Sequence, residues 1–265
     1  MISFRPLTLR RKNNQLVKIQ TGIVKYLNTK PLLYGIEHSL VLQKMELIPG
    51  YPAEIARMLE SNSIDLGLVP VAAIPNMKTG NIISDYCIGC NGPVASVCIF
   101  SEVPIEEVKQ VYLDYQSRTS VQLAKILLRN YWKSNAVFTD ADPDFRDLIK
   151  GTTAGLVIGD RAFEQRKKSI FHYDLGEAWK AYTGLPFVFA AWVSNKELDK
   201  TFVQQFNAAN QWGIEHIDDV VRQHPYALFN LQHYYNDCIS YELDDEKKRG
   251  MKLFLEMITG KVYRV

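Results

Sequence analysis

The sequence predicts an α/β protein built as two lobes. Strand-like apolar runs alternate with helix-like runs over residues 17–195, the pattern of strand–helix–strand units. From Asp199 onward the chain reads as helices. Two apolar strands, around 96–100 and 187–193, bracket a middle series and are expected to carry the chain out of a first lobe and back. The first lobe is then 17–97 with 190–265, the second is 98–189, and 1–16 is an N-terminal extension. A ligand cleft would lie between the lobes, and hinge motion would close it.

Each element follows from local pattern. Residues 17–24 form the first strand, and 26–37 lead into a helix with Pro31 at an early position. A second strand covers 45–50. Residues 51–63 place Ile55, Met58 and Leu59 at helical spacing, and Asn62 ends the run. Residues 64–74 are a short apolar strand that enters a loop at Pro70, and 94–100 are strand-like again. The second series has a helical start at 103–108 and a strand at 111–115. An amphipathic helix at 117–132 follows, with Val121, Leu123, Ala124, Leu127 and Leu128 apolar. Next come a strand with an acidic loop at 136–142, a helical turn stopped by Gly151, and a buried strand at 154–160. After the strand at 187–195, helices are expected at 200–221, 227–238 and 244–262.

Composition narrows the function. The chain has 265 residues, 47% hydrophobic and 23% charged, with a net charge of +2. These values exclude a disordered tail and a disulfide miniprotein, and they give no electrostatic footprint for nucleic acid or membrane. No apolar run approaches the ~18 residues of a membrane span. The N-terminus lacks a signal-peptide pattern, and four sparse cysteines suit a reducing compartment; a cytoplasmic location is expected. The basic Arg10-Arg11-Lys12 reads as part of a solvated extension.

Six segments, in order, carry a family resemblance: 22–35 (GIVKYLNTKPLLYG), 65–75 (DLGLVPVAAIP), 87–97 (CIGCNGPVASV), 113–128 (LDYQSRTSVQLAKILL), 155–162 (GLVIGDRA) and 173–192 (YDLGEAWKAYTGLPFVFAAW). The chain resembles the chorismate dehydratases of the futalosine route to menaquinone, densely over 17–195 and more loosely in the tail. The resemblance implies a fold like that of type II periplasmic binding proteins. A sister family, 1,4-dihydroxy-6-naphthoate synthase, carries a Ser-Pro-Cys-Pro-Asn-Asp-like opening loop. Lys25-Tyr26-Leu27-Asn28-Thr29 departs from that loop, although Lys25 stands where the dehydratases commonly have Ser. A solute receptor of the same fold is the non-catalytic alternative.

The implied reaction removes water from chorismate, a small dianion, to give 3-[(1-carboxyvinyl)oxy]benzoate. Aromatisation drives it, so positioning and charge placement matter most, and no cofactor is implied. On the resemblance, Asn28 and Ser96 are the catalytic candidates. Thr29, Ser117, Arg118, Thr119, Ser120, Asp160, Gly184, Leu185 and Pro186 are the substrate-binding candidates. Ser117–Ser120 precede a helix, whose N-terminus suits an anion; the alternatives are a capping box, with Arg118 solvated or in an interlobe salt bridge. Asn28 can donate and accept, or be a turn residue. Ser96 can bind a carboxylate or be buried in a strand. Asp160 can serve as a base or cap a helix. Gly184–Phe187 would close the cleft with apolar surface. Apart from Glu177 in the last segment no His or Glu falls within these motifs, and the substrate's own enolpyruvyl carboxylate is the expected proton acceptor.

Other constellations are weak. Cys87 and Cys90 have the spacing of half a zinc site, without a matching second pair, and read as free thiols. The five histidines show no ligand pattern, and Asp140–Asp144 lack the glycine and distal glutamate of a calcium loop.

Overall fold

The computed structural model describes residues 18–263; the extension at 1–16, Arg10-Arg11-Lys12 included, lies outside the described residues. The strands form two sheets. In the first, β1 (Ile19–Val24) lies between β2 (Met45–Gly50) and β3 (Leu66–Pro70), all parallel. Strand β10 (Phe187–Ser194) runs antiparallel between β3 and β4 (Asn81–Cys90), and β11 (Ser240–Glu242) flanks β4. In the second sheet, β6 (Gln110–Leu113) lies parallel between β7 (Val137–Asp140) and β8 (Thr153–Ile158). Strand β5 (Val97–Ser101) is antiparallel between β8 and β9 (Phe171–Asp174).

The helices are α1 (Lys30–Glu37), α2 (Pro52–Glu60), α3 (Arg118–Ile126), α4 (Asp160–Arg166), α5 (Leu175–Thr183), α6 (Lys200–Glu215), α7 (Ile217–Gln223), α8 (Leu231–His233) and α9 (Asp245–Thr259). No described helix is long and apolar enough to cross a membrane. Strands β3 and β5 are buried at every residue, as expected for strands covered on both faces. Glycines let α1 and α6 touch: a Cβ on Gly35 would lie 1.9 Å from the Ala209 carbonyl oxygen, and one on Gly213 2.0 Å from that of Pro31.

The chain passes between the sheets twice, through 91–96 and 184–186, just ahead of the two apolar strands expected to make the crossing; each strand pairs within a single sheet. The tail departs from the all-helical expectation. His216 breaks 200–221 into α6 and α7, a π-helical turn (Tyr234–Cys238) follows α8, and β11 adds a strand. Strand β4 escapes a period-two reading because its register against β10 shifts twice, which scrambles alternation. Strand β9 is only four residues long.

Candidate active site

The carboxyl ends of β1, β3 and β8 and the loop after β6 converge on one cleft between the sheets, with about 500 Å³ of empty volume. This is where open α/β sheets place ligands. Its polar wall is Tyr26, Asn28, Thr29, Ser96, Ser117 and Ser120. Its apolar wall includes Pro70, Ile88, Val94, Ile158 and Phe189.

The loop after β1 is a 3-10 turn (Leu27–Thr29) that feeds α1, with Pro31 in the first turn. It is held from outside: Leu27 N–H donates to Asp160 Oδ1 at 3.0 Å, and Tyr241 Oη donates to the Asn28 carbonyl at 3.0 Å. Thr29 Oγ1 donates to Asn28 Oδ1 at 3.1 Å. That bond fixes which end of the amide is the oxygen and presents the Asn28 NH₂ as the donor. Tyr26 donates its hydroxyl to Gln116 Oε1 across the lobes. Burial pushes the Tyr26 phenol well above its ordinary range, so it stays protonated.

Ser96 ends the crossing segment. Its N–H bonds the Val94 carbonyl at 2.7 Å around Ala95, which has φ +62°. Such a tight turn at a residue with a Cβ is strained. Asp174 holds it, accepting Ala95 N–H at 2.7 Å and Val94 N–H at 3.0 Å while capping α5 through Gly176 N–H and Glu177 N–H. Arg166 Nε adds a bond to the Ala95 carbonyl at 2.9 Å. Tyr234 Oη donates to Ser96 Oγ at 2.7 Å.

The N-terminus of α3 supplies the facing wall. Ser117 Oγ caps it, accepting Ser120 N–H at 3.2 Å and donating to Ser120 Oγ at 3.0 Å. The two intervening candidates turn elsewhere. Arg118 pairs with Glu60 on α2, and Thr119 Oγ1 accepts Ala72 N–H at 3.2 Å. Both contacts tie α3 to the first sheet, and for Arg118 this is the salt bridge weighed against a ligand role.

Asp160 does not line the cleft either. It opens α4 and takes Leu27 N–H; burial raises its pKa, partly offset by that N–H, Lys30 and Arg161. Gly184, Leu185 and Pro186 also lie off the lining. Gly184 ends α5 at φ +74°, and the Pro186 carbonyl accepts Trp179 Nε1 at 3.2 Å. They set the start of β10, whose Phe189 and Ala190 reach the cleft instead.

Behind Tyr26 lies a buried polar group. Arg161 Nη2 donates to Asp114 Oδ2 and Gln116 Oε1, both at 2.7 Å. Sequence reasoning missed Tyr26, Gly159 and Phe189 as lining residues, although all three sit inside the quoted motifs. It also missed Asp174 and Tyr234; Tyr234 lies in the tail, where no motif stood out. All four cysteines are free and buried, and burial pushes the Cys87 thiol up to about 12. Among the described residues no cluster of three potential metal ligands occurs.

Two sheets joined by two short crossings around a cleft define the class. The Candida albicans CA3427 gene product, described as exhibiting the generic periplasmic binding protein structural fold, superposes with TM-score 0.62 at 12% identity, covering 94% of this chain and 92% of that one. Protein AF1704 from Archaeoglobus fulgidus gives TM-score 0.73 at 13% identity, covering 92% and 97%. The chain therefore has the periplasmic-binding-protein-like fold. It belongs to the menaquinone biosynthesis family, whose model matches residues 19–259. A curated relative, chorismate dehydratase of Thermus thermophilus, is 27% identical over 267 residues, covering 89% of this chain and 94% of the relative.

Proposed function

We propose that this protein is a chorismate dehydratase that eliminates water from chorismate to give 3-[(1-carboxyvinyl)oxy]benzoate, serving menaquinone formation by the futalosine route in the cytoplasm. The observation that carries the reading is the cleft lining. Neutral donors face an apolar wall, and no carboxylate, imidazole, ammonium or guanidinium is among the lining residues. Such a site suits a substrate that brings its own proton acceptor. The family membership and the curated relatives' names support the same choice.

The chemistry follows from these donors. Asn28 Nδ2 and the Ser120 hydroxyl hold the carboxylates, with Thr29 fixing the Asn28 amide and Ser117 Oγ orienting Ser120 by donating to its Oγ. The substrate's enolpyruvyl carboxylate takes the proton from the ring carbon that bears the ether. The electron pair delocalises into the ring carboxylate as a dienolate. Ser96 Oγ hydrogen-bonds the departing hydroxyl, which takes the abstracted proton back from the enolpyruvyl carboxyl group and leaves as water, and the ring becomes aromatic. Oriented donors in a site that excludes water account for the acceleration. The two lobes close on the substrate, and the crossings at 91–96 and 184–186 serve as the hinge.

Incubation with chorismate followed by mass analysis tests the reading. A product lighter by one water is expected. Unchanged chorismate would favour the solute-receptor alternative, and turnover of the sister enzyme's substrate would favour the naphthoate synthase.

A further inference from the structure

The candidate donor Ser96 has one side-chain partner that no sequence motif marks. Tyr234 arises from the π-helical turn in the tail, 138 positions away, and its hydroxyl meets Ser96 Oγ at 2.7 Å. Both residues are fully buried. The Tyr234 ring is clamped edge-on by Phe163, at 5.1 Å between centroids, and by Phe229 at 6.0 Å. Its hydroxyl therefore has little freedom to turn away.

We propose that Tyr234 is a positioning residue that commits the Ser96 hydroxyl to donate into the cleft. This inference rests on the dehydratase reading of that cleft. A serine hydroxyl has one proton and two acceptor positions. Tyr234 fills an acceptor position, because among the described residues its own proton has no other recipient. The Ser96 proton then has two places to go. Within the protein the choice is the Val94 carbonyl, 3.4 Å away and already engaged by Ser96 N–H at 2.7 Å. The other is a substrate oxygen in the cleft that Ser96 lines. A donor chain Tyr–Ser–substrate also polarises the serine O–H, strengthening its bond as charge develops on the departing oxygen. Burial pushes the Tyr234 phenol far above its ordinary range, which keeps it a donor throughout the working pH range.

A double-mutant cycle on chorismate turnover tests the role, using Tyr234→Phe, Ser96→Ala and the pair in the full chain. Tyr234→Phe is expected to lower kcat by about tenfold with KM changed less than about threefold, the signature of an interaction that matters at the barrier. In the Ser96→Ala background the same change is expected to alter kcat by less than about twofold, since a residue acting through Ser96 has nothing left to position. Losses that multiply in the pair, an unchanged kcat in Tyr234→Phe, or a Tyr234→Phe protein that melts below the assay temperature would each overturn the proposal. A parent that leaves chorismate intact fails the dehydratase reading and takes this role with it. Multiplied losses in an active parent fail the role alone.

Discussion

Asn28 is held with its NH₂ as the donor, because Thr29 Oγ1 bonds its amide oxygen and fixes the amide's orientation. Replacing the amide by a carboxylate would point acceptors at a dianion. Asn28→Asp is expected to lower kcat by about 100-fold or more, the scale of losing one oriented donor, and Asn28→Ala to impair turnover as well. Steady-state kinetics check this; an Asp variant as fast as the parent would show that Asn28 does not act as an orienting donor. Arg118 behaves differently. Its guanidinium sits against Glu60 and is one-third exposed, so Arg118→Ala is expected to leave KM essentially unchanged and to cost at most about 1 kcal/mol of stability. A large rise in KM would return Arg118 to the ligand site. The contrast shows what a residue-level reading of Ser117–Ser120 lacks. The segment is correctly placed at a helix start, yet successive helical residues point about 100° apart. Ser117 and Ser120 share the cleft face, whereas Arg118 and Thr119 turn to α2 and the loop after β3.

At the scale of elements, the crossing turn before β5 depends on one carboxylate. Asp174 takes N–H groups from both the turn and the start of α5, and it is buried. Asp174→Ala would leave these donors unpaired and is expected to destabilise the fold by about 3 kcal/mol or more, read from chemical denaturation. Helix α9 offers a pH test. Burial works upward on Asp244, but hydrogen bonds from the Lys247 side chain and backbone outweigh it and hold the carboxyl low. A depressed carboxyl stabilises the fold above its unfolded pKa of about 3.9, and this stability is lost as pH falls through the folded value. Thermal melts should therefore drop on acidification below about pH 4 less steeply in Asp244→Asn than in the parent. Identical profiles would deny the Asp244–Lys247 pair a role. The motif-bearing turns were legible because each is a contiguous string with its own capping or glycine signal. Asp174 and Tyr234 were not, since their worth lies in bonds to residues 79 and 138 positions away, which no local pattern encodes. The same holds for β4, whose register shifts hide its alternation.

For the whole molecule, the two sheets meet through a set of direct bonds around the cleft: Tyr26 to Gln116, Leu27 N–H to Asp160, Ala53 N–H to Gln116 and Ala72 N–H to Thr119. Strand order made the two-lobe architecture legible, but which side chains fasten the lobes together emerges only when both sheets are in place. The fastened cleft is lined by uncharged groups, and that is the core of the functional account: a dianion dehydrated by oriented neutral donors, with the substrate supplying the base. The most direct measurement is a proton NMR time course of chorismate with the purified protein. The account predicts that the ring signals become aromatic while the two enolpyruvyl methylene protons persist, because water leaves and the side chain stays. Chorismate signals that remain unchanged, or pyruvate released as the ring aromatises, would contradict it.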